Sequence, residues 1–394
     1  MIFTAKFGWT EEEAIFYNTI ISTAGIFGLM IGSILGGRML KFGRRSMIII
    51  CQLICILGAA ITMIVHPATL SGGRVILGIG AAIMNIIFGK IVCETLPPQL
   101  MGNFGMVANT ALSSGLIIIF GLGGILPDQK DEEAKKEDEM WRVIWLGPVV
   151  VGVVEILFTV LIYRREPVGY CLMEGRDEEA IQSLARIYRK KDPDSPESLQ
   201  TLIEAHYSNL KKNTTMDAVS TSFKDALCGK KYRRATWVCI ALVIFDQMTG
   251  VTGLIIYANS LLVQMSEQGS EDFPLTPIQG TWLIAISTMF SSSLPLLYNH
   301  KFGRKTLFMT GYLLMSFVLF MTGLSIYKEW NMAAFSFVIC MIFCFQMLAG
   351  WLNNVYFVEV CVDTATGVVQ FVQAMTATIT ALSFDYMINS KLQV

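Results

Sequence analysis

Runs of apolar residues long enough to cross a membrane occupy most of this chain. A helix needs about 20 apolar residues to span the hydrocarbon core of a bilayer, and backbone groups in lipid must bond within their own segment. We therefore predict an all-α polytopic membrane protein. Ten spans are predicted, at residues 16–37, 46–66, 73–93, 103–126, 142–163, 234–264, 278–299, 306–327, 332–358 and 366–388.

The composition favours lipid as the main solvent. Hydrophobic residues make up 53% of the chain and charged residues 15%, with a mean hydropathy of +0.54. A soluble domain carries roughly 25% charged residues. The net charge of −1 gives no reason to expect a nucleic-acid partner, so the expected surroundings are a lipid bilayer.

A short basic turn occurs twice between apolar runs. It reads Lys-Phe-Gly-Arg-Arg at residues 41–45 and Lys-Phe-Gly-Arg-Lys at 301–305. The repeat indicates an internal duplication, with a polar insert between the copies. We predict an N-terminal bundle of about five spans at 1–164, a helical linker at 165–232 and a C-terminal bundle of about five spans at 233–394.

The insert and both turns are rich in lysine and arginine, so the positive-inside rule predicts that they lie on one side of the membrane. Helical spacing predicts a helix at 176–191 with an apolar face, followed by shorter helices at 198–212 and 223–227. The apolar face consists of Ala180, Leu184, Ile187 and Tyr188.

Glycines spaced four apart in the first span predict close helix packing. Gly28, Gly32 and Gly36 form one small-residue stripe, and the third span adds Gly78 and Gly80. Such stripes let membrane helices approach closely. Before the first span, Thr10 is predicted to be the N-cap.

The succession of partial motifs resembles the sugar-porter branch of the major facilitator superfamily. The two basic turns, Gly73–Gly80, Glu94–Pro97, Trp141-Arg142, Gly175-Arg176, Asp246–Gly250 with Tyr257, and Gly350 with Glu359 carry the resemblance. It implies two bundles that enclose a central solute site. When the motifs are aligned with those of the family, the first span corresponds to the family's second helix. The family's first and last helices are therefore expected to be absent.

The resemblance also implies site residues, and many differ from the family's pattern. Leu40 and His300 stand where each turn has an acid. Met101 and Thr366 replace arginines of the inner gate, and Gly169 replaces the arginine of the insert motif. Glu94 and Glu359 are expected to lack their usual neighbours. The implied substrate-binding positions are Asn109, Asp246, Gln247, Thr252, Thr288 and Asn354. The implied gating positions are Arg44, Arg45, Glu94, Arg304, Lys305 and Glu359.

Acids inside apolar spans are costly and face a cavity or a partner. Glu155, Asp246, Glu359 and Asp385 are in this position. Asp246 has two interpretations, a proton or cation site in the central cavity or a buried protonated acid at an interface. Asn353-Asn354 likewise line a polar pocket or bond between helices.

The sequence contains no recognisable catalytic set, so we expect neither an enzyme nor a cofactor. The cysteine pairs Cys51/Cys55 and Cys340/Cys344 have helical spacing but no nearby histidine, so no metal site is predicted. Two functions remain open. The first is a carrier of a small polar solute working by alternating access. The second is a descendant that no longer transports and serves as a sensor or a subunit of a larger membrane complex, with a partner protein or lipid covering the faces left by missing helices. The plasma membrane and the mitochondrial inner membrane both fit.

Overall fold

A computed structural model gives the architecture. It describes residues 2–39, 42–96, 98–124, 139–187, 223–257, 276–298, 301–328 and 330–389, with isolated positions between 201 and 262. The predicted positions Leu40 and His300, and most of the predicted helix at 198–212, lie outside the described residues.

The described residues form helices and connecting turns. In chain order the helices are α1 Ile2–Phe7, α2 Glu11–Met39, α3 Arg44–Thr62, α4 Pro67–Thr95, α5 Pro98–Gly123, α6 Trp141–Leu161, α7 Val168–Met173, α8 Asp177–Ile187, α9 Phe223–Cys228, α10 Arg233–Met248, α11 Val251–Ile256, α12 Pro277–Ser293, α13 Pro295–Tyr298, α14 Arg304–Tyr327, α15 Asn331–Cys344, a π-helical segment Phe345–Ala349, α16 Gly350–Val360 and α17 Asp363–Asn389.

Nine helical stretches of the described chain have the length and hydropathy to cross a membrane. They match nine of the ten predicted spans. The tenth prediction, 234–264, expected one continuous helix and is wrong in that respect. The chain breaks between α10 and α11 at Gly250, whose φ of 76° is left-handed and suits glycine. The adjoining predicted residues 258–261 lie outside the described part.

The predicted glycine stripe brings α2 onto α4. A Cβ on Gly32 would lie 2.5 Å from the carbonyl oxygen of Ile79, and one on Gly28 would collide with the carbonyl of Val75. Gly78 of α4 is equally close to the backbone of α2 at Gly25. No side chain fits at these crossings, so the glycines set the distance between the two helices.

Both Lys-Phe-Gly-Arg turns, the α4–α5 and α16–α17 connections and the start of the insert lie at the same end of the bundles. We call this end the basic face. Here the two bundles approach closely: a Cβ on Gly367 of α17 would lie 2.8 Å from the carbonyl oxygen of Ser33 in α2. A Cβ on Gly105 of α5 would lie 2.7 Å from the Val355 side chain of α16. The bundles are therefore in contact at the basic face.

Two short helices of the insert pack at the basic face. The predicted helix appears as α8, and its expected apolar residues Ala180 and Leu184 are fully buried. They pack against Val168 and Cys171 of α7. Tyr188 and the side chain of Ile187 lie outside the described residues. The prediction at 223–227 is confirmed as α9.

Candidate functional site

The break after α10 gathers polar groups inside the second bundle. Asp246 and Gln247 occupy the last turn of α10, and both are buried. The Gln247 amide donates a hydrogen bond to Asp246 Oδ2 at 3.2 Å, and its Oε1 accepts one from the Thr252 hydroxyl at 2.7 Å. Thr252 belongs to α11, so this bond joins the two sides of the break.

Two further helices contribute to the surroundings of Asp246. The Tyr312 hydroxyl of α14 donates to Asp246 Oδ1 at 3.4 Å. The Asn353 amide of α16 donates to the Tyr312 hydroxyl at 3.2 Å. We call Asp246, Gln247, Tyr312 and Asn353 the Asp246 cluster. Its members come from α10, α14 and α16, and all but Tyr312 are buried.

A separate polar contact, outside the Asp246 cluster, joins the first bundle to the second. Asn109 of α5 donates to Gln346 Oε1 at 3.2 Å, and Gln346 belongs to the π-helical segment. A π bulge re-aims side chains within an otherwise regular helix and is frequent at functional sites. One residue further along α5, the Thr110 hydroxyl donates to the Ser292 carbonyl of α12 at 3.1 Å. Polar groups of both bundles therefore meet along α5.

The implied substrate-binding positions divide into two groups. Asn109, Asp246, Gln247 and Thr252 enter the polar contacts described above. Thr288 is buried, but its hydroxyl donates to Ile284 one turn earlier in α12. Asn354 is half-buried, and its neighbour Asn353 joins the Asp246 cluster instead. The hydrogen bond from Asn353 to Tyr312 links two helices, as one of the two interpretations of the Asn353-Asn354 pair predicted.

Sequence reasoning did not select Tyr312 or Gln346. Tyr312 lies among apolar residues of α14 and looks like one more membrane aromatic. Gln346 had a usable signal, since an uncharged polar side chain in the middle of an apolar span needs a partner. Its position on a π-helical segment was not predictable from periodicity.

The first basic turn is tied to its bundle by a buried ion pair. Arg44 at the start of α3 bonds bidentately to Glu94 of α4, at 3.1 Å through Nε and 2.5 Å through Nη2. The Arg44 side chain is 1% exposed and that of Glu94 is 14% exposed. Glu94 was expected to lack its usual neighbours. The structure pairs it with the arginine of the turn itself.

The insert adds a second acid to this turn. Glu166 Oε2 accepts hydrogen bonds from the backbone N–H groups of Arg44 at 2.9 Å and Arg45 at 3.1 Å. A carboxylate there satisfies the free N–H groups at the start of α3 and interacts favourably with the helix dipole. The turn is thereby fixed to the insert.

Gly169, which stands where an arginine was expected, leaves room for Glu94 to pair with Arg44. A Cβ on Gly169 would lie 2.6 Å from Glu94 Cγ, so no longer side chain fits between α7 and Glu94. The guanidinium of Arg44 instead lies over the Tyr170 ring, 5.3 Å from its centroid. Burial raises the pKa of the Tyr170 phenol, with smaller contributions from Glu174 and Glu166, so the ring stays neutral beside the arginine.

The second basic turn makes a simpler contact. Arg304 at the start of α14 bonds to Glu359 of α16, with Nη2 at 2.7 Å from Oε1 and a second contact from Nη1. The Arg304 side chain is 39% exposed. Of the other predicted gating residues, Arg45 donates to the Tyr163 carbonyl at 3.0 Å and Lys305 is exposed.

The remaining candidate acids lie elsewhere. Glu155 of α6 accepts a hydrogen bond from Gln52 of α3, which joins two helices of the first bundle. The side chain of Asp385 lies outside the described residues. In the described part of the chain, no group of three histidine, cysteine, aspartate or glutamate side chains could hold a metal ion.

Known structures share this architecture. A structure of the proton:xylose symporter XylE bound to 6-bromo-6-deoxy-D-glucose superposes with a TM-score of 0.79 at 16% identity, and the match covers 99% of this chain and 82% of that one. A partially occluded, inward-open form of the xylose transporter XylE from E. coli gives 0.75 at 17% identity, over 96% and 84% of the two chains. The fold is that of a major facilitator superfamily transporter.

Sequence comparisons then identify the family. The sequence model of the Sugar (and other) transporter family matches residues 1–390, so this chain belongs to that family and is a multi-pass membrane protein. Hexose transporter 1 of Plasmodium falciparum is 26% identical over 305 residues, which are 75% of this chain and 58% of that protein. The facilitated trehalose transporter Tret1 of Bombyx mori is 24% identical over 324 residues, 82% of this chain and 58% of that protein.

The chain is shorter than these proteins. It spans 47% to 61% of the length of four hexose transporters that it matches. The expectation that the family's first and last helices are absent stays a prediction.

Proposed function

We propose that this chain moves a small polar solute of the hexose class across a membrane by alternating access between its two bundles. The observation that supports this most directly is the hydrogen bond from Asn109 to Gln346. It joins polar side chains of the two bundles in a region where spanning helices are interrupted. Carriers built from repeats bind solutes near the midplane, between the repeats and beside broken helices.

The depth of these groups fits such a site. Counted from the basic face, Asn109 lies about 16 Å along α5 and Asp246 about 20 Å along α10, at a rise of about 1.5 Å per residue. The hydrocarbon core is about 30 Å thick, so helix length alone carries both side chains well inside it. Amide and hydroxyl groups there can exchange their mutual hydrogen bonds for bonds to the hydroxyls of a sugar.

The relatives support the solute class. Proteins of similar sequence are named hexose and trehalose transporters, and a solved structure with this fold is a xylose symporter. The contact between the bundles at the basic face supports one of the two end states that alternating access requires. The other state requires Gly105 and Gly367 to separate from their partners.

The test is solute uptake by the purified protein in liposomes. Labelled D-glucose, with a panel of other hexoses and pentoses, should enter faster than in empty liposomes. Asn109→Ala and Gln247→Ala should each lower uptake about tenfold, because losing a buried hydrogen bond costs about 1–1.5 kcal/mol and leaves a partner unpaired. Gln182→Ala, at an exposed glutamine on α8, is the matched control and should leave uptake unchanged.

Flat uptake across the whole panel would refute the proposal. The alternative is then a descendant that no longer transports, acting as a sensor or as a subunit of a larger membrane assembly. Native gels in mild detergent distinguish these outcomes, since a subunit should migrate only in a large complex. In that case a partner protein or ordered lipid would cover the helix faces for which a partner was predicted.

A further inference from the structure

One carboxyl group lies deep in the second bundle without a compensating cation. Asp246 is 3% exposed, and no lysine, arginine or histidine of the described chain lies within ion-pair distance of it. The ion pairs at the basic face have the opposite arrangement, since Glu94 and Glu359 there each pair with an arginine. A charge in the middle of a membrane costs several kcal/mol unless it is paired or faces water.

The groups that contact Asp246 are neutral. Tyr312 and Gln247 donate hydrogen bonds to its two oxygens, and Asn353 donates in turn to the Tyr312 hydroxyl. Neutral donors offset part of the cost of the charge. They do not replace the cation that a permanently charged buried carboxylate needs.

An unpaired acceptor lies in the same cluster. Asn353 is 2% exposed, and its Nδ2 donates to Tyr312 while its Oδ1 has no hydrogen-bond partner among the described residues. A buried unpaired acceptor costs about 1–3 kcal/mol. A proton on Asp246 would remove the charge. It would also add an O–H donor to the cluster, in which Asn353 Oδ1 has no donor from the described chain.

We propose that Asp246 binds and releases one proton in each transport cycle, so that solute movement is coupled to proton movement. The proton comes from water on one side of the membrane, neutralises the carboxylate and leaves to water on the other side. The coupling rests on the proposed transport function. Proton binding by Asp246 does not, and it is tested separately below.

A metal ion fits this cluster poorly. Divalent cations take about six or more oxygen ligands, usually from several carboxylates. Asp246 is the only carboxylate in the cluster, and the described residues contain no acid-rich group that could hold a metal. A proton needs one oxygen, which this cluster provides.

Few other titratable groups face Asp246. Of the described residues on the helices that pack around it, Tyr312 of α14 is the titratable neighbour. On α10 itself, Cys239 lies about two helical turns away. The charged residues of these helices lie toward the basic face, about two to four turns away: Arg233 and Arg234 on α10, Arg304 and Lys305 on α14, and Glu359 on α16. Helix α17, which also packs against α10, carries Asp363 and Asp385, whose side chains lie outside the described residues. A pH response of the cluster is therefore assigned to Asp246.

Labelling with a hydrophobic carbodiimide tests proton binding without any solute. Such reagents modify protonated carboxyls within membranes, and peptide mass spectrometry locates the adduct. Labelling of Asp246 in the full-length protein should fall at least tenfold from acidic to alkaline pH, and Asp246→Asn should abolish it. Glu155, a described carboxyl in the middle of another span, serves as the internal reference for reagent access. Labelling of Asp246 that is the same at every pH would overturn the proposal.

Gradient-driven uptake tests the coupling. With labelled D-glucose in liposomes, an imposed gradient of one pH unit should drive about tenfold accumulation by the wild type, because one unit is a tenfold difference in proton activity. Asp246→Asn should reduce that ratio to about onefold, whereas Glu155→Gln should retain it.

Each outcome separates the two ideas. Uptake that ignores the pH gradient, or follows a sodium gradient instead, would overturn proton coupling and leave the transport proposal standing. No uptake at all would refute transport, while the labelling still decides whether Asp246 binds a proton.

Discussion

The two basic turns have nearly the same sequence, yet the structure places them in different surroundings. The first turn buries Arg44 against Glu94 and receives a second acid, Glu166, from the insert. The second turn leaves Arg304 39% exposed beside Glu359. At the first turn, two N–H groups at the start of α3 also bond to Glu166. The two turns therefore share a sequence but differ in the contacts that hold them to the rest of the protein.

The difference comes from what each turn has beside it. The chain after α6 returns under the first turn, where the connection before α7 supplies Glu166 and α7 itself supplies Tyr170 to Arg44. Gly169 leaves room there for Glu94. At the second turn, Arg304 pairs with Glu359 of α16, and Phe302 packs edge-on against Tyr298 of α13. We infer that the first bundle is held rigidly at the basic face, while the turn of the second is freer to move.

The largest expected effect tests this contrast directly. Arg44→Ala should lower stability by about 3–5 kcal/mol, because it leaves the Glu94 carboxylate buried and unpaired. Arg304→Ala should cost about 1 kcal/mol, because the Arg304 side chain is 39% exposed and water can reach Glu359 in its place, although Glu359 is as buried as Glu94. Apparent unfolding temperatures of the two variants in the same detergent give the comparison. Equal losses would show that exposure does not distinguish the turns.

The glycine of each turn gives a second matched pair. Gly43 has φ +94°, and an added Cβ would lie 2.9 Å from Glu166 Oε1, so Gly43→Ser should cost about 1–3 kcal/mol. Gly303 has φ −68° and open space around the Cβ position. Gly303→Ser should therefore be tolerated, and its hydroxyl should add a cap worth a few tenths of a kcal/mol over glycine. Thermal unfolding should move in opposite directions for the two variants, and a shared direction would contradict the assigned backbone difference.

The contrast also shows how far sequence reasoning reached. Apolar run length placed nine spans, and the spacing of Gly28 and Gly32 predicted close packing by another helix, because both depend on local pattern; the structure shows that this helix is α4. Whether Arg44 finds an acid depends on where α4 and α7 meet in space, which the pattern does not encode. The resemblance predicted Glu94 without its usual neighbours because it compared positions one at a time.

The central site shows the same limit. The intramembrane acid Asp246 was visible in the sequence because a charge in an apolar run is unusual. Its neighbours Tyr312 and Asn353 lie more than 60 residues away along the chain, and only packing brings them to it. Asn353 and Asn354 are adjacent, and the helical phase that selects Asn353 depends on the π-helical segment before α16.

The smallest expected difference between the two bundles lies at the opposite ends of the helices that lead into the two turns. There the two bundles match: Thr10 and Glu13 form a reciprocal capping box before α2, and Thr276 and Gln279 form one before α12. Thr10→Ala and Thr276→Ala should each cost about 1 kcal/mol, because each exposes the same N–H groups at a helix start.

Unfolding temperatures should fall equally for the two threonine variants, in contrast to the unequal losses expected for Arg44→Ala and Arg304→Ala. A large difference between the threonine variants would show that the bundles differ in overall stability. In that case the unequal losses in Arg44→Ala and Arg304→Ala would reflect the overall stability of each bundle. They would not be caused by the attachment of the first turn to the insert.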